Sequence, residues 1–211
     1  VLDIGQPSDD TVTAAKINND VISGQTALTA EPDDTDEFLV SDAGTIKRID
    51  YSLIKGGGIT MVDTWRLTTT FTGDANPITS NLERVDAPAG YGSIGSAMTE
   101  SSGIFTFPST GIYLIHGMFG FLVASGQTDT GHNGRIQVTT NNSDYNPGFL
   151  TRGSGSASEY QSASGFFVFD VTDTSTHKAR IRVGHNNSAS SNMGSTSRNE
   201  TAVTFIRLGD T

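Results

Sequence analysis

A chain of 211 residues with net charge -10, 35% apolar and 17% charged residues, 24 glycines and no cysteine has the profile of a loop-rich β protein without disulfides or thiolate metal sites. A pI near 4.6 argues against a phosphate-binding surface, so nucleic acid is not an expected partner. No window approaches the run of about 18 apolar residues that a membrane helix needs, and the N-terminus lacks the basic and apolar regions of a signal peptide; no membrane partner is expected. The first residue is Val1 and not Met, which suggests a processed chain or the C-terminal piece of a longer one.

Three glycines, Gly56 to Gly58, divide the chain. Residues 1–55 hold 11 acidic and 4 basic side chains, and residues 56–211 hold 12 and 9, so net charges of -7 and -3 fall on the two sides. We assign 1–55 as an attachment or stalk segment, 56–61 as a glycine-rich linker and 62–211 as the head domain. In the first segment, Asp9 and Asp10 are cap candidates for a short helix carrying Val12, Ala15 and Ile22 on one face and ending before Gly24. Its thin apolar stripe needs another surface to pack on. Phe38 to Val40 and Ile46 to Ile49 flank a Ser41-Asp42-Ala43-Gly44 turn and read as a hairpin. The run "EPDDTDE" at 31–37 has carboxylates at alternate positions but lacks the turn glycine and terminal Glu of a calcium loop, and reads as a solvated acidic loop.

Beyond the glycines the signal is strand upon strand. "TWRLTTTF" (64–71) alternates with a period of two, and further strands are expected at 81–86, 104–107, 112–123, 134–140, 165–171, 178–184 and 201–208. Turn-rich stretches separate them, including "SGQTDTGHNG", "NNSDYNPG" and "NNSASSNMGS". Eight to ten strands without crossover helices indicate an all-β, antiparallel jelly-roll sandwich, with a short helix and hairpin as its N-terminal addition.

The strand 112–123 is apolar on both faces. One carries Tyr113, Ile115, Phe119, Phe121 and Val123; the other carries Ile112, Leu114, His116, Met118 and Leu122. "GFFVFDV" repeats this with Phe167 and Phe169 against Phe166 and Val168, and "TAVTFIRL" does so through Val203 and Phe205 against Ile206 and Leu208. A two-layer sandwich covers one face of each sheet, so the second needs another surface, most simply a neighbouring subunit. Tyr113, Ile115, Phe119, Phe121, Phe167, Phe169 and Phe205 are therefore core or oligomer-interface candidates, and an Asp at whichever of Phe119 and Phe121 faces outward is expected to separate subunits.

Little here suggests catalysis. "GYGSIG" (90–95) has dinucleotide-loop spacing but no following helix, so no cofactor is expected. His116 lies on an apolar strand, where a trimer axis could gather three copies, whereas His132 and His185 read as solvated loop residues. No nucleophile elbow is present, and carboxylates across the loops, which could pair as in a glycosidase, read as solubilising charge; the chain is not expected to be an enzyme. The loops "NNSDYNPGFLTRGSGSASEYQS" and "GHNNSASSNMGSTSRN" combine Tyr, Arg and small polar residues, a mix suited to polar or carbohydrate surfaces. Tyr145, Arg152, Tyr160 and Arg198 are the candidate receptor contacts.

Two stretches carry resemblances. "FTFPSTGIYLIHGMFGF" and the closing "TAVTFIRLGDT" resemble the complement-head and tumour-necrosis-factor-like jelly roll, with Phe105 and Phe107 flanking the family's Phe position, Pro108 and Gly111 in its turn and Tyr113 after it. This resemblance spans about residues 62–211 and implies a homotrimer formed through one sheet. "DDTVTAAKINNDVISG" and "ALTAEPDDTDEFLVSDAGTIKRIDYSLIK" are similar to segments of tail fibres and other virion structural proteins of marine tailed bacteriophages. That implies a fibre, spike or decoration protein on the virion exterior, joined to other virion proteins through residues 1–55, with the knob binding host surface glycan or receptor. A secreted or cell-surface glycan-binding module of the same fold is the alternative.

Overall fold

The structure is a computed structural model that describes residues 20–55, 58–86 and 91–211. It forms two compact units, 1–56 and 57–211. The first contains a single helical turn, α1 (Asp20–Ser23), an antiparallel hairpin of β1 (Glu37–Asp42) and β2 (Thr45–Asp50), and a second turn, α2 (Tyr51–Ile54). The hairpin bends at Ala43 and Gly44, both at positive φ, the conformation that a short Asp-Ala-Gly turn requires. Asp9, Asp10, Val12 and Ala15 lie outside the described residues; Ile22 is exposed on α1. Leu39, Ile46 and Leu53 are exposed as well, because among the described residues of this unit the hairpin and two one-turn helices form no second layer over them.

The second unit is a β sandwich. In chain order its strands are β3 (Met61–Leu67), β4 (Phe71–Thr72), β5 (Leu82–Arg84), β6 (Thr99–Ser101), β7 (Ile104–Thr106), β8 (Gly111–Leu122), β9 (Asp129–Thr139), β10 (Asn146–Gly155), β11 (Tyr160–Val171), β12 (Lys178–Gly184), β13 (Ser191–Asn192) and β14 (Ala202–Gly209). One sheet runs β4-β13-β8-β14-β3-β5, with β11 also on β8; the other runs β10-β9-β12-β7-β6, and all pairings are antiparallel. The expected fold class is the observed one. β10 is an addition, since its residues read as loop.

The inner faces meet in a core of Tyr113, Ile115, Phe119 and Phe121 from β8, Val203 and Phe205 from β14, Ile136 from β9 and Ile181 and Val183 from β12. Each of these side chains is at most 1% exposed. Phe167 and Phe169 pack against this cluster from β11. Of the seven candidates, Tyr113, Ile115, Phe119, Phe121 and Phe205 are thus core residues, and Phe167 and Phe169 pack partly buried against them. In particular, neither Phe119 nor Phe121 faces outward, so an Asp at either would unfold the sandwich before it could separate subunits.

The chain enters β8 through the Pro108–Gly111 turn. The Tyr113 hydroxyl donates back to the Ser109 carbonyl at 2.9 Å and fixes the turn against the strand. Gly111 has φ 141°, and a Cβ there would lie 2.5 Å from both Gly209 O and Arg207 Nε. Only glycine fits. Residues 91–95 of the glycine-rich "GYGSIG" form no helix; Ile94 instead makes a bridge to Val62.

Candidate functional site: two opposite outer faces

The sandwich has two outward faces of contrasting chemistry. On the β8 sheet, cross-strand partners share a face. Val168 pairs with Leu114, Leu114 with Ile206, Ile206 with Val62, and Val62 with Ile94. These five form one apolar stripe across four strands and the adjoining bridge. The next row is Phe166, His116, Thr204 and Thr64, in which the two threonine hydroxyls bond at 3.0 Å. Phe166 is 66% exposed and Val168 57%, while Leu114, His116, Met118 and Ile206 are half-buried beside their neighbours. This is the second apolar face of the central strand, and among the described residues of the sandwich no further layer covers it.

On the other sheet the outward face is basic. Arg135 of β9 and Arg182 of β12 are register partners, as are Arg180 and Gln137, and Arg152 of β10 stands opposite Asn133. The chain has nine arginines. Five of them, Arg48, Arg66, Arg84, Arg198 and Arg207, make ion pairs with carboxylates. Among the described residues, the four that make none are Arg135, Arg152, Arg180 and Arg182, and all four lie on this face. Burial pushes the Arg135 guanidinium below its ordinary value, and repulsion from Arg182 and Arg152 pushes it further. Burial also lowers Arg180, partly offset by Tyr145 and with a smaller push from Arg182.

Neutral partners hold these cations in place without neutralising them. Arg135 Nε donates to Asn133 Oδ1 at 3.1 Å, and Arg180 Nε donates to Gln137 Oε1 at 3.0 Å. The Arg180 guanidinium lies 4.0 Å from the Tyr145 ring centre, a cation–π contact that keeps the head group flat on the face. Burial raises the Tyr145 hydroxyl's pKa, with Arg180 opposing, so the phenol stays neutral. Thr130, Gly131, Asn133, Arg135, Arg152 and Asn186 line a cleft of about 360 Å³ at one end. Preformed guanidiniums with amide and hydroxyl neighbours can take carboxylate, sulfate or phosphate oxygens bidentately.

Of the four candidate contacts, Tyr145 and Arg152 therefore lie on one face. Tyr160 starts β11 beside Leu122 on the other sheet, and Arg198 sits in the connection to β14, paired with Glu200. Sequence reasoning missed Arg135, Arg180 and Arg182, although "KARIRV" places Lys178, Arg180 and Arg182 at alternate positions, a pattern that marks one strand face.

His132 and His185 also require correction. Neither is solvated: His132 is 1% exposed within β9, and the His185 side chain is fully buried against Asp129.

No family model and no curated protein matches this sequence. Solved structures do match in shape. The crystal structure of murine APRIL at pH 5.0 shares 15% identity at a TM-score of 0.51, with 70% of this chain and 98% of that chain covered. The structure of Eiger TNF from S. frugiperda shares 12% identity at a TM-score of 0.54, with 73% and 96% covered. The chain carries a tumour-necrosis-factor-type jelly roll.

Proposed function

We propose that this protein is a homotrimeric, non-enzymatic binding module that trimerises through the apolar face of the β8 sheet and holds an anionic surface polymer on the arginine face. The single observation carrying the binding role is that the four arginines without carboxylate partners gather on one sheet face of an otherwise acidic protein. Unneutralised like charges repel one another, and a polyanion removes that repulsion. The two faces are on opposite sides of the sandwich, so a trimer that buries one leaves the other outward. The ligand class is an acidic polysaccharide, carrying carboxylate, sulfate or phosphate groups.

The setting we propose is the exterior of a tailed-phage virion, with residues 1–55 joined to other virion proteins and the jelly roll as the knob that touches the host. Support comes from the likeness of residues 9–55 to phage fibre segments and from the exposed Leu39, Ile46 and Leu53 of the hairpin unit, which suit a docking surface. Detection of the chain in purified virions by mass spectrometry is expected; finding it only as a free secreted protein would favour the secreted glycan-binding module.

Immobilised sulfated and neutral dextrans test the binding role. Wild-type protein is expected to bind the sulfated polymer, more weakly as salt rises, and the Arg135→Glu/Arg182→Glu pair is expected to lose at least about tenfold in affinity. Equal binding to neutral dextran, or undiminished binding by the double variant, overturns this role.

A further inference from the structure

We propose that Asp129, His132 and His185 form a buried site for a divalent transition-metal ion of the zinc class inside each subunit. The three residues come from the start of β9 and from the segment just after β12. Each offers one ligand atom, and these atoms lie within 4.8 Å of one another. A tetrahedral zinc site with bonds of about 2.1 Å sets neighbouring ligand atoms about 3.4 Å apart. Asp129 Oδ2 and His185 Nδ1 already stand 3.1 Å apart, and the His132 ligand atom lies within 4.8 Å of both.

Hydrogen-bond accounting points to an ion. Asn192 Nδ2 donates to the Gly73 carbonyl at 2.7 Å, which fixes the amide and turns its Oδ1 toward His185 Nε2 at 3.2 Å. That nitrogen must carry the proton. The other ring nitrogen then faces a carboxylate oxygen, and only a second proton or a cation can sit between them. Ligating histidines commonly show this arrangement, one nitrogen donating to an outer acceptor and the other bare toward the metal. Asp129 Oδ1 is meanwhile held by the backbone N–H groups of Gly131 and Asn186, at 3.0 and 3.2 Å, leaving Oδ2 for the ion.

A second proton would not complete the site. One buried polar atom beside this pair, His132 Nδ1, has no hydrogen-bond partner. Orphaned buried groups are costly and commonly mark an ion or a water. An anionic carboxylate with two imidazoles is a donor set for zinc, and Ser190 Oγ or a water supplies the fourth position.

The test uses tag-free full-length protein, stripped with chelator and dialysed against zinc. One zinc per chain is expected after removal of free metal, with a rise in Tm of about 5–10 °C at a hundredfold excess over Kd. Cobalt should give the intense visible bands of a tetrahedral site. His132→Phe, which keeps an aromatic ring against Phe121, and Asp129→Asn, which keeps the side chain's shape, should each abolish the zinc-dependent rise. Failure of wild-type protein to retain zinc overturns the proposal, as does a rise that survives in both variants, because the ion would then sit elsewhere. If a variant does not fold, the wild-type stoichiometry and cobalt spectrum still decide.

Discussion

Asp63 lies on the inward series of β3, fully buried, and serves as a hub for its end of the sandwich. Its carboxylate accepts from Trp65 Nε1 at 3.0 Å, from Arg84 Nε at 2.9 Å and from the Met98 backbone N–H at 2.8 Å. Arg84 also lies 5.0 Å from the Trp65 ring and donates to the Met98 carbonyl at 2.7 Å, so one acid ties β3 to β5 and to the segment before β6. A buried charge is tolerated here because three donors replace water. Asp63→Asn keeps the volume but must turn an NH2 group toward at least one of those donors. A loss of about 2–3 kcal/mol is expected from urea denaturation at pH 7, with the slope unchanged. A loss below about 0.5 kcal/mol would show that this network is not structural.

At the scale of elements, glycines decide how closely the sheets approach. Gly117 of β8 and Gly165 of β11 are register partners, and the Phe149 ring from β10 packs over both. Gly134 of β9 faces Phe119, whose ring atoms lie 2.2–2.5 Å from where a Cβ would stand. Gly134→Ala must therefore displace a central ring, and a loss of at least about 1–3 kcal/mol is expected, read as a fall in Tm of several degrees. An unchanged Tm would mean that the ring has room to move. The same glycines explain what the sequence hid. β10 contains Pro147, Gly148, Gly153 and Gly155, which read as turn residues, yet Gly148 makes room for Phe167 and Gly153 for His132. β8, β14 and the 165–171 part of β11 were legible because their apolar runs lie between turn-rich stretches, the pattern of a strand apolar on both faces. β9 was legible only from Gly134 onward, since the preceding "DTGHN" buries Asp129 and His132, polar residues whose partners come from distant segments. The zinc candidate was hidden for that reason: Asp129 and His185 are 56 residues apart, and no local spacing joins them.

For the whole molecule, the placement of charge and apolar surface constrains how subunits can meet. The Val168-Leu114-Ile206-Val62-Ile94 stripe and the row from Phe166 to Thr64 lie on one face; the unpaired arginines lie on the other. Packing arginine faces together would set like charges side by side, whereas packing the apolar faces together would remove Phe166 and Val168 from water, with Asp170 the next residue along that face of β11. The proposed trimer therefore has one economical interface, and Phe166→Asp or Val168→Asp tests it. Both side chains are more than half exposed in the single chain, so an Asp there does not disturb the core. Wild-type protein at about 10 μM is expected at three times the 22.2 kDa chain mass by light scattering, and each variant at the chain mass, with unchanged circular dichroism. Since β8, β11 and β14 all contribute, loss of assembly in one variant should be matched in the other. A wild-type monomer, or trimers that persist in both variants, would remove the apolar face as the assembly surface and leave it open for a different partner.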